Sequence, residues 1–184
     1  MIKVRQISTK SNDFKNIKRV YNTVFPQNEL LPLSLLKMRA KAGKAEFCSI
    51  YNEEGKWVGF FYTVYNKRIA YIFFLAIDPH YHGQGLGSAT LTAIKERYAG
   101  KQITLSAERP DPQASNNEQR IRRHRFYAKN GFGKTGLYTV EKDNEKFDLL
   151  SIQSSVNPQL YQQLMDNYLT KHRRHYLPYK IVKE

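Results

Sequence analysis

Cysteine is almost absent from this chain, and acids are scarce. Cys48 is the only cysteine in 184 residues. An internal disulfide framework is therefore excluded, and the composition suits a reducing, cytoplasmic setting. Within Phe47-Cys48-Ser49-Ile50 that cysteine reads as a small core residue rather than a reactive thiol. No apolar run approaches the roughly 20 residues that a membrane-spanning helix needs. No long apolar segment follows the basic residues of Met1-Ile2-Lys3-Val4-Arg5-Gln6, so neither a membrane anchor nor a secretory signal is expected. Repeats, low-complexity tracts and breaks in composition are also lacking, so residues 1–184 are expected to form one domain, with 157–184 as a helical, basic extension. Only 16 Asp and Glu stand against 30 Lys and Arg, a formal net charge of +14. Such a field favours an anionic partner without choosing between nucleic acid, a membrane surface and a polyphosphate ligand.

What is present has the pattern of a mixed α/β domain. Residues 2–7 read as a strand. Residues 11–24 read as a helix, with Phe14, Ile17 and Tyr21 spaced three and four apart. Pro26 ends it, and a second helix is expected over 33–42 after Pro32. Strands at 46–52, 57–65 and 69–77 are joined by short turns, the pattern of an antiparallel meander. A helix over 86–98, with Leu91, Ile94 and Tyr98 on one face, ends before Gly100. Strand 102–107, helix 116–130, strands 134–141 and 146–152 and helix 157–170 follow.

The most informative stretch is the end of strand 69–77 and what comes after it. The apolar run closes on Asp78-Pro79, and a short loop leads into Gly83, Gly85 and Gly87 at the start of the next helix. Glycine lets a backbone approach a ligand closely, and the first amides of a helix point at an anion. Pyrophosphate needs such converging donors and no obstructing Cβ atoms. Two rival phosphate motifs fit worse. Gly85-Leu86-Gly87-Ser88-Ala89-Thr90 lacks the third glycine of a dinucleotide fingerprint, and no acidic ribose residue follows. Gly131-Phe132-Gly133-Lys134-Thr135 closes a relaxed Walker A pattern, but a helix precedes it and a strand follows, the reverse of a P-loop. His80 and His82 are two apart, like a metal pair, yet no further ligand pattern supports a metal.

Two stretches resemble the GNAT superfamily of acyl-CoA-dependent N-acetyltransferases. Leu75-Ala76-Ile77-Asp78-Pro79-His80-Tyr81-His82-Gly83-Gln84-Gly85-Leu86-Gly87-Ser88 is similar to that family's strand, turn and pyrophosphate loop, with His82 where the family has Arg or Gln. Arg125-Phe126-Tyr127-Ala128-Lys129-Asn130-Gly131-Phe132 is similar to the end of its next helix, roughly 40 residues on. The order of elements over about residues 1–152 fits as well. The resemblance implies a mixed, mainly antiparallel sheet flanked by helices, and acetyl-CoA as cosubstrate with no metal. It also implies pyrophosphate contacts from His82, Gly83, Gln84, Gly85, Leu86, Gly87 and Ser88. Backbone groups of Leu75 and Ile77 would pair with the pantetheine arm where strands 69–77 and 102–107 part. Tyr127 would protonate the departing thiolate as general acid. In many members an acid in the strand before the loop takes the amine's proton, but Tyr71-Ile72-Phe73-Phe74 offers none. Glu108, at the end of strand 102–107, is the best remaining candidate for the base, although a surface salt bridge with Arg109 would also explain it. Glu29 is a weaker one. Of Arg120, Arg122, Arg123 and Arg125, one or two could reach CoA phosphates.

The expected function is transfer of an acetyl group from acetyl-CoA to a primary amine, on a small molecule or a peptide, by direct attack. The acceptor has no signature in the sequence. Two alternatives carry less weight, a basic nucleic-acid-binding protein and an acyl-CoA-binding module without turnover. The helix from Asn157 presents Leu160, Tyr161, Leu164 and Tyr168 on one face. That face must be covered by its own domain or by a second subunit.

Overall fold

A computed structural model describes residues 2–141, 144–169 and 180–184. Internal contacts divide the chain into two compact units, Met1–Tyr65 with Ile72–Ala99, and Asn66–Tyr71 with Gly100–Glu184.

The first unit holds β1 (Lys3–Ile7), α1 (Phe14–Val24), α2 (Leu33–Lys41), β2 (Ala45–Tyr51), β3 (Trp57–Tyr65), most of β4 (Ile69–Ile77) and α3 (Leu86–Arg97). Its strands lie in the order β1-β2-β3-β4. β1 and β3 both run antiparallel to β2, with Val4 opposite Ile50 and Cys48 opposite Phe61. The helical period of α1 has a direct outcome: Phe14, Ile17, Val20 and Tyr21 are its buried residues. They meet an aromatic core, in which Tyr21 packs edge-on to Phe74 with centroids 5.0 Å apart, and Phe47 lies 4.5 Å from Tyr62. Burying polar groups here requires partners. The Tyr21 hydroxyl donates to the Leu31 carbonyl at 2.9 Å. Buried Glu46 accepts from Arg97 Nε and Nη2 at 2.9 and 2.7 Å. Cys48 is fully buried, and that burial, aided by the charge of Glu46, pushes its thiol up to about 12. A thiol held in that way stays protonated and inert.

The second unit holds β5 (Gln102–Glu108), α4 (Asn117–Lys129), β6 (Gly133–Val140), β7 (Lys146–Ser151), α5 (Pro158–Leu169) and β8 (Lys180–Lys183). Its strands lie in the order β5-β7-β6-β8, and each neighbouring pair is antiparallel. The hairpin of β6 and β7 is therefore turned so that the later strand meets β5, with Leu105 opposite Leu150. The last strand, β8, is absent from the sequence-based expectation. Its four residues carry lysine at both ends, too short a pattern to stand out in a basic tail, and they form a strand by pairing along β6. Tyr161, Leu164, Met165, Tyr168 and Leu169 of α5 are buried within this same chain. The apolar face of α5 thus gives no argument for a second subunit. The basic residues 171–174 and the segment 175–179 lie outside the described residues. The class is the mixed α/β one expected, with antiparallel strands and flanking helices. Among the described residues, no helix is long and apolar enough to cross a membrane.

Candidate active site

The site in the first unit begins where β4 ends. Leu75 and Ile77 are half-buried while Phe74 and Ala76 between and beside them are buried, the period-two alternation of a strand with one covered face. β3 approaches this end very closely. A Cβ on Gly59 would lie 2.4 Å from the Ala76 carbonyl oxygen and 3.1 Å from the Ile77 Cα, so no larger residue fits without moving β4. Asp78 then turns the chain. Its carboxylate accepts from the His80 amide at 3.2 Å and from His80 Nδ1 at 2.8 Å, and it pairs with the Arg19 guanidinium of α1. Burial pushes the carboxyl up, but the bonds from Arg19 and His80 outweigh it and hold the group at about 2.

The loop that follows leaves helix amides that could receive an anion. Gly83 and Gly85 have φ of +79° and +73°, the left-handed region that costs an L-residue about 1–2 kcal/mol. Nothing lies within 4 Å of where their Cβ atoms would be, so conformation rather than crowding requires glycine here. Gly85 is the N-cap of α3 and no side chain caps that end. The first helical bond runs from the Ala89 amide to the Gly85 carbonyl at 3.1 Å. The amides of Leu86, Gly87 and Ser88 precede it, and these are the donors that a helix cannot use internally. Gly83, Gln84 and Gly85 are exposed. His82 is exposed too, and its Nε2–H donates to the Ile77 carbonyl at 2.9 Å, which ties the ring to the end of β4. His80 and His82 therefore have different jobs, and no cluster of three or more His, Cys, Asp or Glu suited to a metal occurs among the described residues.

In the second unit the candidate site residues Glu108 and Tyr127 lie on β5 and α4. Tyr127 is half-buried between Phe126 and Phe132, with centroids 5.3 and 6.1 Å away. Burial pushes its phenol up, against a smaller opposing effect of the Arg123 charge, so the group stays protonated near neutral pH. Among the described residues its hydroxyl has no hydrogen-bond partner. Glu108 is buried, and the salt bridge expected with Arg109 is made with other arginines. Its Oε2 accepts from Arg123 Nη1 at 2.7 Å, and its Oε1 lies 3.2 Å from Arg120 Nη2 and 3.3 Å from Asn116 Nδ2. Arg109 instead binds Asp148 and Glu184. Of the four arginines considered for CoA phosphates, Arg120 and Arg123 are thus committed to carboxylates, while Arg122 and Arg125 are exposed. Glu108 and Tyr127 are linked through one side chain, since Arg123 binds the first and its charge acts on the second.

Sequence reading missed Glu141. It directly follows β6, is half-buried, and accepts from Thr139 Oγ1 at 3.2 Å. Its available signal was an acid two residues beyond a threonine at a strand end in a chain poor in acids.

Residues 44–134, about half of the chain, match the family model of the acetyltransferase (GNAT) domain. The chain belongs to the GNAT acetyltransferases and is an acyltransferase. No curated protein matches its sequence. Among solved structures it is similar to an acetyltransferase of the GNAT family from Bacteroides thetaiotaomicron, with 21% identity, 94% of this chain and 96% of that one covered, and a TM-score of 0.69. It is also similar to spermidine N-acetyltransferase from Vibrio cholerae in complex with CoA and spermine, with 14% identity, 82% and 94% covered, and a TM-score of 0.61. A third likeness is to aminoglycoside 6'-N-acetyltransferase from Enterococcus faecium, with 11% identity, 85% and 99% covered, and a TM-score of 0.61.

Proposed function

We propose that this protein transfers the acetyl group of acetyl-CoA to a primary amine in the cytoplasm. The observation that carries this reading is the uncapped N-terminus of α3, entered through two glycines in the left-handed region. The amides of Leu86, Gly87 and Ser88 receive the pyrophosphate, with His82, Gly83, Gln84 and Gly85 around it, because aligned orphan donors favour an anion there. Backbone groups of Leu75 and Ile77 receive the pantetheine arm as an added strand. Neutral Tyr127 gives its proton to the CoA sulfur as the C–S bond breaks. Glu108 enters as the anchor of α4 rather than as the base, because both of its oxygens are taken up by Arg120, Arg123 and Asn116. A small amine is the favoured acceptor class. Related folds act on spermidine and aminoglycosides, and the net charge of +14 leaves a cationic acceptor in need of a particular carboxylate.

The test is release of free CoA thiol from acetyl-CoA across polyamines, aminoglycosides, amino acids and peptide N-termini, with mass spectrometry of the product amine. An acetylated amine formed in step with thiol release is the expected result. Acetyl-CoA binding with no acetylated product from any class would overturn the transferase reading.

A further inference from the structure

One face of the β1–β2 pair is only partly covered. Lys3 lies opposite Tyr51, Arg5 opposite Ser49 and Ile7 opposite Phe47, so these side chains share that face. Helix α1 covers its inner part, where Phe14 meets Phe47 edge-on with centroids 4.9 Å apart. Ahead of α1, the Asp13 carboxylate accepts from Ser49 Oγ at 2.7 Å and from the Tyr51 hydroxyl at 2.5 Å. Tyr51 also stands in the wall of a cavity of about 550 Å³. Ile2, Lys3 and Arg5 line it from the β1 side, and Asn52 and Glu53 line it from the turn between β2 and β3. Sites for small organic molecules have roughly 300–1,000 Å³, so a bare ion would leave most of this one empty.

The charges on its walls are unevenly matched. Lys3 and Arg5 are exposed and two residues apart on one face, about 7 Å along the strand. Among the described residues neither meets a carboxylate, and Arg5 lies over the Tyr51 ring with Cζ 5.3 Å from its centroid. The two acids nearby are engaged. Asp13 takes the two hydroxyls, and Glu53 has an interaction of its own. Basic residues on an edge strand also deter pairing with other chains, and β1 lies at the edge of the sheet. A guard of that kind needs no cavity, whereas these two cations line one together with an aromatic ring and Ile2.

We propose that this cavity binds a small organic phosphate monoester, at a site separate from the pyrophosphate loop. A phosphate monoester carries close to two negative charges at neutral pH on one compact group, which matches two cations held on one strand face. Arg5 offers a planar pair of N–H donors and Lys3 a point charge. Tyr51 and Ile2 meet the organic part, and the Glu53 carboxylate on the turn keeps the dianion toward β1. The site is built from β1 and the β2–β3 turn, while the pyrophosphate loop follows β4, so it stands whether or not the protein is a transferase. Trp57, the only tryptophan, is wired to it. Its Nε1 donates to Ser49 Oγ at 3.2 Å, and Ser49 shares Asp13 with Tyr51.

The test titrates adenosine 5′-monophosphate into the full chain without acetyl-CoA, followed by calorimetry and by Trp57 fluorescence. Wild type, Lys3→Gln with Arg5→Gln, Arg5→Lys and Gly85→Asp are compared. Saturable binding with the same midpoint in both signals is expected for wild type and for Gly85→Asp. The double variant should bind at least about 10-fold more weakly, and Arg5→Lys, which keeps the charge, should recover part of that loss. Both replaced side chains are exposed, so the double variant should unfold at the wild-type urea concentration and bind acetyl-CoA as the wild type does. No saturable binding by wild type, or equal affinity in the double variant, would overturn the proposal. Loss of binding in Gly85→Asp would place the phosphate at the start of α3 instead, and heat without a change at Trp57 would place it elsewhere on the protein. Succinate or inorganic phosphate binding as tightly as the nucleotide would refute an organic phosphate as the ligand.

Discussion

Asp78 is where stability and the candidate cofactor loop meet, and its removal has a calculable cost. The carboxyl ionises at about 2 in the folded protein against 3.8 for an ordinary aspartate. A shift of that size corresponds to about 2 kcal/mol at 1.4 kcal/mol per unit. Its partner Arg19 is 48% exposed, so solvent screening reduces this to about 1–2 kcal/mol. The sign follows from proton binding. Between pH 4 and pH 2 the unfolded chain holds more protons on this group than the folded one, so the contribution is complete above about pH 4 and vanishes as pH falls through 2. Asp78→Asn retains a carbonyl oxygen for the His80 amide and loses the charge that binds Arg19. Urea unfolding of both proteins should show a difference of about 1–2 kcal/mol at pH 7 and at pH 5, shrinking toward pH 2. A difference that stays constant from pH 7 to pH 2 would refute the ion-pair origin. Because Asp78 sets the turn that leads to Gly83 and Gly85, the variant should also bind acetyl-CoA more weakly at pH 7.

Further outcomes follow from single contacts. Tyr127→Phe should lower kcat by about 10²–10⁴-fold with little change in acetyl-CoA affinity, since a proton donor to sulfur acts in the transition state. An unchanged kcat with chemistry rate-limiting would remove Tyr127 from that role. Gly59→Ala puts a methyl 2.4 Å from the Ala76 carbonyl and should cost about 1–3 kcal/mol in urea unfolding and weaken acetyl-CoA binding by displacing the end of β4. Wild-type stability would show that β3 and β4 part easily there. Glu141 ionises at about 7 when folded and 4.5 otherwise, so stability falls by about 3 kcal/mol as pH rises from 4.5 to 7 and stays low above. Glu141→Gln should therefore be more stable than wild type at pH 8 and equal to it at pH 4, and equal stability at both would show that Glu141 is not desolvated.

Local pattern and long-range pairing were not equally readable from residues. The β4-to-α3 segment was legible because an apolar run, Asp-Pro and spaced glycines each act through local backbone preferences. The buried faces of α1 and α5 were legible because a 3.6-residue period must be covered by something. The strand order β5-β7-β6-β8 was not, because periodicity identifies a strand and says nothing of its neighbours. Gly59 escaped notice for the same reason, as its need for no Cβ arises from β4, seventeen residues on. Glu108 and Glu141 show the limit most clearly. Both are acids at strand ends, and only the packed structure shows that, among the described residues, arginines pair with Glu108 and none pairs with Glu141.

The most direct test of the central claim is calorimetric titration of acetyl-CoA into wild-type protein and into Gly85→Asp. The substitution strains a φ of +73° and sets a carboxylate beside the amides of Leu86, Gly87 and Ser88. Saturable one-to-one binding by the wild type and a loss of at least about 10-fold in a variant that still unfolds cooperatively are predicted. Equal affinity in the two proteins would contradict the account, because the N-terminus of α3 would then not hold the pyrophosphate.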